Sequence, residues 1–308
     1  MSKIRIATIG YLISDWLMSM EESSHSIGGH PELSELKIEP GGICNFLIAG
    51  QRLGGEMHAL DAIGADEYGL SMLRILENEG VDISQVIQVA GSRSRSVVVI
   101  GKSATDHEYY PFAGDLMPKL EFSQNWRKYL NKMDVLYIDG FALRQEYIHS
   151  AVIDTARWMA KAGKKVFFDP GPGVGEPSNE VLPWVCGLLL TEEELLQWGK
   201  GSADELFLAS ETIQMVVTKQ GQEGCTVFSR GNAPVKCPGF AVEVRDTMGA
   251  GDVFNAAFIL STLAGKSSFE CGRFANAAGA AKVQKFGAGK NVPTLDEVEK
   301  LVGKVNRE

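Results

Sequence analysis

The sequence predicts an α/β fold: a central, mostly parallel sheet flanked by helices on both faces, with a small β-sheet unit beside it. Three observations carry this. Short apolar runs recur along the chain, and most end in Gly, Asp or Thr. Between them lie segments with apolar residues at three- and four-residue spacing, the period of a helix packed on one side. Strands that alternate with helices form parallel sheets covered on both faces. One region, 86–112, breaks the alternation and reads as successive strands with no helix between them.

In chain order, "IRIATIG" (4–10) is the first buried strand. Lys3 and Arg5 ahead of "IATIGYLI" imitate a signal peptide weakly, but Asp15 cuts the run short and no small-residue cleavage site follows. The expectation is a cytoplasmic protein. Further strands are "HALDAIG" (58–64), "DVLYIDG" (134–140), "KVFFDPG" (165–171), "CGLLLT" (186–191) and "MVVTKQG" (215–221), with "AVEVR" (241–245) read as one more. Helices are expected over 68–79 and 145–162. Ligands of such sheets gather at the carboxyl ends of the strands, which places Asp15, Asp139, Asp169 and Glu194 near a site. The chain reads as one domain over 1–308. A small antiparallel unit is contributed by about 12–40 and 86–112, with turns at Gly91-Ser92 and Ser103–Asp106. It is either a lid or a plain edge hairpin.

Composition narrows the class. Hydrophobic residues are 44% and charged residues 22%, ordinary for a soluble globular chain. A net charge of −9 counts against general nucleic-acid binding, and no apolar run reaches membrane-spanning length. The five cysteines are scattered and form no C-x-x-C pair, as in reduced cytosolic proteins.

"DTMGAGDVFNAAFI" (246–259) carries the chemistry. After Asp252, the residues Val253, Ala256, Ala257, Leu260 and Leu263 form one apolar helical face, stopped by Gly265. Gly249-Ala250-Gly251 is therefore the turn at a helix N-terminus, where N–H groups lack intrahelical partners and the dipole end is positive. Small residues let an anion approach that backbone closely. Asp252 at the same place either accepts a proton from a substrate hydroxyl or serves as a first-turn cap.

These residues carry a family resemblance. "DTMGAGD" resembles the C-terminal signature of the ribokinase-like (PfkB) carbohydrate kinases. "PGGICNFLIAGQRLGG" (40–55) resembles their first signature and "AIGADEYG" (62–69) the strand and turn after it. "VTKQGQEGC" (217–225) and "FANAAGAAKVQKFGA" (274–288) are similar to the nucleotide-side segments. The resemblance implies a ribokinase-like fold with a β-sheet lid, and ATP-dependent phosphorylation of a sugar hydroxyl. It implies Asp252 as general base, the backbone of Gly249, Ala250 and Gly251 as anion hole, and Asp15, Gly41, Gly42 and Asn45 as substrate-binding residues. Paired Asp and Asn groups suit a polyol. Lys219, Gly221, Gly224 and Asn276 are implied on the nucleotide side, although a hairpin turn also explains the two glycines. Glu194 is implied to hold Mg²⁺ through water. Thr191 stands where the family's Asn would be, and Thr-x-x-Glu is also a capping box. Asp246 matches a monovalent-cation loop, with Met248 in place of the usual Thr, which leaves K⁺ dependence open.

Other motifs are decoys. "GAGK" (287–290) lacks the preceding Gly and the Ser/Thr of a phosphate loop, and "GPGVG" (171–175) lacks dinucleotide spacing. His25, His30, His58, His107 and His149 make no metal cluster. Gly173 stands where some relatives carry Arg, which disfavours a phosphorylated substrate, while Arg93 and Arg95 in the lid would suit an acidic one. An unphosphorylated or acidic sugar is the first expectation. A nucleoside is the second, stacked by Trp16, Tyr109, Tyr110 or Phe112, and a non-catalytic sugar-binding regulator is the third. Exposed lid edges also suggest a homodimer.

Overall fold

The computed structural model describes residues 3–20, 33–101, 103–172, 176–198 and 201–304. Residues 21–32 of the expected lid, with His25 and His30, lie outside the described residues, as does Gly173. The chain opens with β1 (Arg5–Ile9), β2 (Leu12–Met20), β3 (Leu33–Gly42), α1 (Ile43–Arg52), β4 (Glu56–Gly64), α2 (Glu67–Asn78) and β5 (Asp82–Val89). Next come β6 (Ser96–Gly101), β7 (His107–Phe112), α3 (Gln124–Leu130), β8 (Val135–Asp139), α4 (Gly140–Leu143), α5 (His149–Lys161), β9 (Lys165–Asp169) and α6 (Glu176–Val181). The C-terminal part holds β10 (Gly187–Thr191), α7 (Glu192–Gln197), α8 (Ala203–Ala209), β11 (Met215–Lys219), β12 (Cys225–Ser229) and β13 (Val235–Cys237). It ends with α9 (Ala250–Leu263), α10 (Ser268–Val283) and α11 (Leu295–Lys304).

The large sheet has the order β13-β12-β11-β10-β9-β8-β1-β4-β5. Pairing is parallel from β11 to β5; β12 and β13 add antiparallel strands at one edge. Successive residues of a strand face opposite ways, so each strand feeds two cores. Val135 and Tyr137 of β8 join α1, α2, α9 and α10 on one side. Leu136 and Ile138 join α3 and α5 on the other. Central strands are thus apolar on both faces, as parallel sheets require. Helix starts follow local chemistry: Asp66 accepts from the Gly69 N–H at α2, and Ser267 with Glu270 forms a capping box at α10.

A second sheet has the order β3-β2-β6-β7. Two expectations change here. Residues 86–89 belong to β5 at the edge of the large sheet, and β6 pairs with β2 in parallel, so the small sheet is mixed. A polar, half-exposed β5 reads like a lid strand, yet it is an edge strand whose outer side meets solvent. The expected strand at 241–245 is absent. That stretch instead runs past the end of α10, where Arg245 and Asp246 both donate backbone N–H groups to the Val283 carbonyl. α5 starts at His149, after a turn over 145–148. α9 buries Val253 through Ser261 on all sides, packed against α1 and α10, so its single apolar stripe was an underestimate. Among the described residues no helix is long and apolar enough to cross a membrane.

Candidate active site

Asp139 ends β8, Asp169 ends β9, Thr191 ends β10 and Lys219 ends β11. These neighbouring parallel strands deliver four polar ends to one edge of the sheet, and the N-terminus of α9 meets them there. Lys219 Nζ donates to Asp169 Oδ2 at 2.7 Å, and a Cβ built on Gly251 would lie 3.6 Å from that same Nζ. Asp169 Oδ2 also accepts from Asn255 Nδ2 at 2.6 Å, and Oδ1 accepts from the Gly171 N–H at 2.9 Å. Asn255 in turn donates to the Tyr137 hydroxyl.

Asp252 stands in the first turn of α9, half-buried. Burial, and then the like charges of Asp139 and Asp169, hold its carboxyl well above the ordinary range; Lys219 and the Asn45 hydrogen bond oppose them. Asn45 Nδ2 lies 3.3 Å from Asp252 Oδ2, while Asn45 Oδ1 accepts the Gly289 N–H at 2.8 Å. Asn45 thus ties the acid to the 3-10 turn Gly289–Asn291. Burial also raises Asp139, to about 7, despite the Phe141 N–H that it accepts.

The α9 turn needs its glycine. Gly249 has φ +70°, and a Cβ there would come within 3.2 Å of the Asn45 side chain. Ala250 donates its N–H to the Thr247 carbonyl at 3.2 Å, so it is not an open anion-hole donor as expected. The first-turn N–H groups of Gly251 and Asp252 fall where a helix leaves donors without intrahelical acceptors.

The residues expected on the sugar side lie where β2 and β3 pair and at the start of α1. Asp15 faces Glu39 across the strands, and Gly41 lies beneath the Asp15 carboxyl, where a Cβ would sit only 1.9 Å from Asp15 Cγ. Burial, with Glu39 adding like charge, lifts Asp15 to about 7. Gly42 has φ +53° and caps α1, which carries Asn45.

Other expectations shift. Gly224 has φ +97°, and a Cβ there would lie 2.1 Å from the Cys237 carbonyl oxygen, so it serves the close approach of the 220–224 turn to 237–239. Gly221, at φ +57°, sits in open space on that turn. Asn276 Nδ2 is taken by the Cys237 and Pro238 carbonyls, so only its Oδ1 is left for a nucleotide. Lys219 lies among the acids, paired with Asp169. Arg93 pairs with Asp115 at 2.9 Å and stacks on Phe112. Arg95 is buried against Asp61 at 2.8 Å. Neither arginine is held ready for an acidic substrate. Trp16 packs on Tyr68 at 4.6 Å and points to the opposite face of β2 from Asp15.

Glu194 completes the capping box expected of Thr-x-x-Glu. Its Oε2 accepts the Thr191 N–H at 2.7 Å in a complete capping box, while burial and Asp169 raise its pKa. The donor set suits Mg²⁺: Asp139, Asp169, Glu194 and Asp252 repel one another around a single lysine. Among the described residues no three acid, His or Cys side chains form a direct metal cage. Mg²⁺ keeps several waters and needs few protein ligands. Asp246 suits K⁺ poorly. Its Oδ1 accepts the Met248 N–H at 2.9 Å and meets His107 Nε2 at 3.1 Å, and its Oδ2 accepts the Gly287 N–H at 2.7 Å.

Sequence reasoning missed Asn255 and Tyr137. The signal for Asn255 was a lone amide three positions after Asp252 in an otherwise apolar helix.

A family profile described as pfkB family carbohydrate kinase matches residues 3–295. The chain belongs to the PfkB family. Carbohydrate kinases of this family are ATP-dependent phosphotransferases that act on hydroxyl groups, and this PfkB chain is an enzyme of that class. It is 28% identical to a ribokinase of Bacillus subtilis, over 85% of this chain and 87% of that one. It is 27% identical to fructokinase-1 of Oryza sativa, over 85% and 88%. Its fold matches the Arabidopsis thaliana ribokinase solved with ribose and ATP, with a TM-score of 0.81, 25% identity and coverage of 98% and 99%. A Methanocaldococcus jannaschii nucleoside kinase shares the fold at TM-score 0.78 and 18% identity, over 97% and 98%.

Proposed function

We propose that this chain phosphorylates a hydroxyl group of a neutral sugar with ATP, using Asp252 as general base. The observation that carries the reading is the Asp252 carboxylate in the first turn of α9, beside the N-terminal amides of that helix and hydrogen-bonded to Asn45. In the reaction the acceptor oxygen forms a bond to the γ-phosphorus while the bond from that phosphorus to the ADP oxygen breaks. The acceptor proton passes to Asp252. Charge on the transferring phosphoryl group meets the Gly251 and Asp252 amides and the Lys219 ammonium, donors already oriented before reaction. Asp15 and Asn45 orient the sugar hydroxyls, and Gly41 leaves room for Asp15. Mg²⁺, held through water by Glu194 with Asp169 nearby, would neutralise the phosphates.

A neutral acceptor is favoured because Arg93 and Arg95 are spent on Asp115 and Asp61, while Asp15 and Glu39 make the sugar side acidic. A nucleoside is the second reading. It is favoured by Tyr109, which shares the Asp15 face of the small sheet and is 56% exposed. The test is ADP release with Mg-ATP across neutral sugars, acidic sugars and nucleosides. One neutral sugar should give the highest kcat/KM. An acidic sugar or a nucleoside in first place displaces the substrate assignment, and binding without ADP release makes the chain a sugar-binding regulator.

The reading extends to a homodimer through the small sheet. Its edge strands expose Leu36 and Ile38 on β3 and Tyr109, Tyr110 and Phe112 on β7. Light scattering should return the mass of two chains; the mass of one chain removes this part.

A further inference from the structure

The turn between β6 and β7 reaches the loop that leads into α9. Ser103 builds the turn: its Oγ accepts the Asp106 N–H at 3.1 Å, and its own N–H donates to the Asp106 carbonyl at 3.3 Å. Thr247 of the loop donates its N–H to the Ala104 carbonyl at 3.1 Å. At the start of β7, His107 Nε2 lies 3.1 Å from Asp246 Oδ1, and both side chains are buried. A neutral or a charged imidazole can carry a proton on Nε2 and donate it to this carboxylate. Two separate contacts thus join the small sheet to residues 246 and 247.

Each side of this junction continues toward the site. On the loop side, Asp246 also accepts the Met248 and Gly287 N–H groups, and the Thr247 carbonyl accepts the Ala250 N–H at the start of α9. Gly249 follows, close against Asn45. These residues set where the first amides of α9 point. On the sheet side, the registers of β2 with β6 and of β6 with β7 put Asp15, Tyr109 and His107 on one face. An acceptor held by Asp15 therefore lies on the same rigid ladder as His107. If that ladder shifts when the acceptor binds, the loop must move with it or leave buried polar groups unpaired, which is costly.

We propose that His107 couples acceptor binding on the small sheet to the placement of the phosphoryl-binding amides of α9. His107 is a positioning residue: it acts through Asp246 and touches no reacting atom. The kinetic and binding arms of the test rest on the kinase reading, whereas the hydrogen-exchange arm does not.

His107→Phe keeps a ring and removes the donor, and His107→Gln keeps a side-chain N–H. Kinetics use the acceptor that leads the ADP-release panel. The ATP analogue AMP-PNP, with Mg²⁺, is titrated in the presence and absence of that acceptor. In the wild-type chain the acceptor should tighten AMP-PNP about fivefold or more, the usual range for coupled sites. His107→Phe should bring that coupling to about twofold or less and cut kcat about tenfold or more, with the KM of the acceptor changed by about twofold at most. His107→Gln should recover coupling and kcat to within about threefold of wild type. In the ligand-free chain, the Met248 and Gly287 amides should exchange about tenfold faster or more in His107→Phe, with the β8 amides unchanged. A wild-type chain without coupling overturns the proposal. So does a Phe variant that keeps coupling or leaves exchange unchanged, or a Gln variant that recovers nothing. If the Phe variant fails to fold, the wild-type and Gln chains decide: coupling in both supports the proposal, and its absence from either overturns it. If no acceptor is turned over, the kinase reading fails and exchange decides: faster Met248 and Gly287 amides support placement of the loop by His107, and unchanged ones overturn it.

Discussion

Asp252→Asn is expected to cut kcat by ~10²–10⁴-fold, the usual worth of a positioned general base, while leaving acceptor and ATP binding nearly unchanged. In barrier height this is about 3–5 kcal/mol. The substitution keeps the shape of the side chain and an oxygen to accept from Asn45 Nδ2, so the link to the Gly289 turn survives. It removes only the charge. That charge is crowded by burial, Asp139 and Asp169, which is why its pKa is raised. The sign for stability follows by linkage. A carboxyl whose folded pKa exceeds its unfolded one holds extra protons in the folded state, so stability falls as pH rises between the two values. The Asn variant lacks that loss, and its unfolding midpoint should exceed wild type by a margin that grows with pH above the ordinary carboxylate range. Steady-state kinetics with thermal unfolding at several pH values measures both effects. Wild-type turnover would reduce Asp252 to a helix cap.

The fold was legible because its central strands are apolar on both faces and end in marked residues. β8 and β9 finish at the aspartates, Asp139 and Asp169, that now face α9. The ends of the elements were less legible because they answer to tertiary partners. Residues 241–245 alternate like a strand, but they find their acceptor in the last turn of α10 and never join a sheet. β5 carries the polarity of a lid strand and sits at a sheet edge, since edge strands and lids both meet water on one side. Motif order singled out Asp252 and Asn45, which the fold brings to 3.3 Å of each other. Lys219 was implied on the nucleotide side, but its ion pair was not legible, because its partner Asp169 lies 50 residues away in the chain. The two carbonyls that hold the Asn276 amide were equally illegible, since they lie 38 and 39 residues away in the chain.

Lys219→Met should be the most damaging change that leaves the proposed base intact. Among the described residues Lys219 is the ammonium that lies with Asp139, Asp169, Glu194 and Asp252, and it lowers the pKa of three of them, Asp139, Glu194 and Asp252. Its own pKa is raised, because Asp169 and Glu194 together outweigh the burial that would depress it. Removing one partner of a buried ion pair costs about 3–5 kcal/mol. Asp169 keeps Asn255 and the Gly171 N–H, so the loss should fall at the low end. Without the lysine the acids hold their protons to higher pH. Two consequences follow, with definite signs. The acidic limb of kcat/KM moves to higher pH, since Asp252 must be ionised to accept a proton. The destabilisation relative to wild type is largest above pH 7 and shrinks as pH falls through about 7, where Asp139 becomes neutral and no longer needs a counter-charge. A pH–rate profile and urea unfolding at an acidic and an alkaline pH measure these shifts. An unmoved acidic limb would mean that Lys219 lies outside the electrostatic reach of Asp252. The phosphoryl group would then have to find its positive charge in the amides of α9 and bound Mg²⁺ alone.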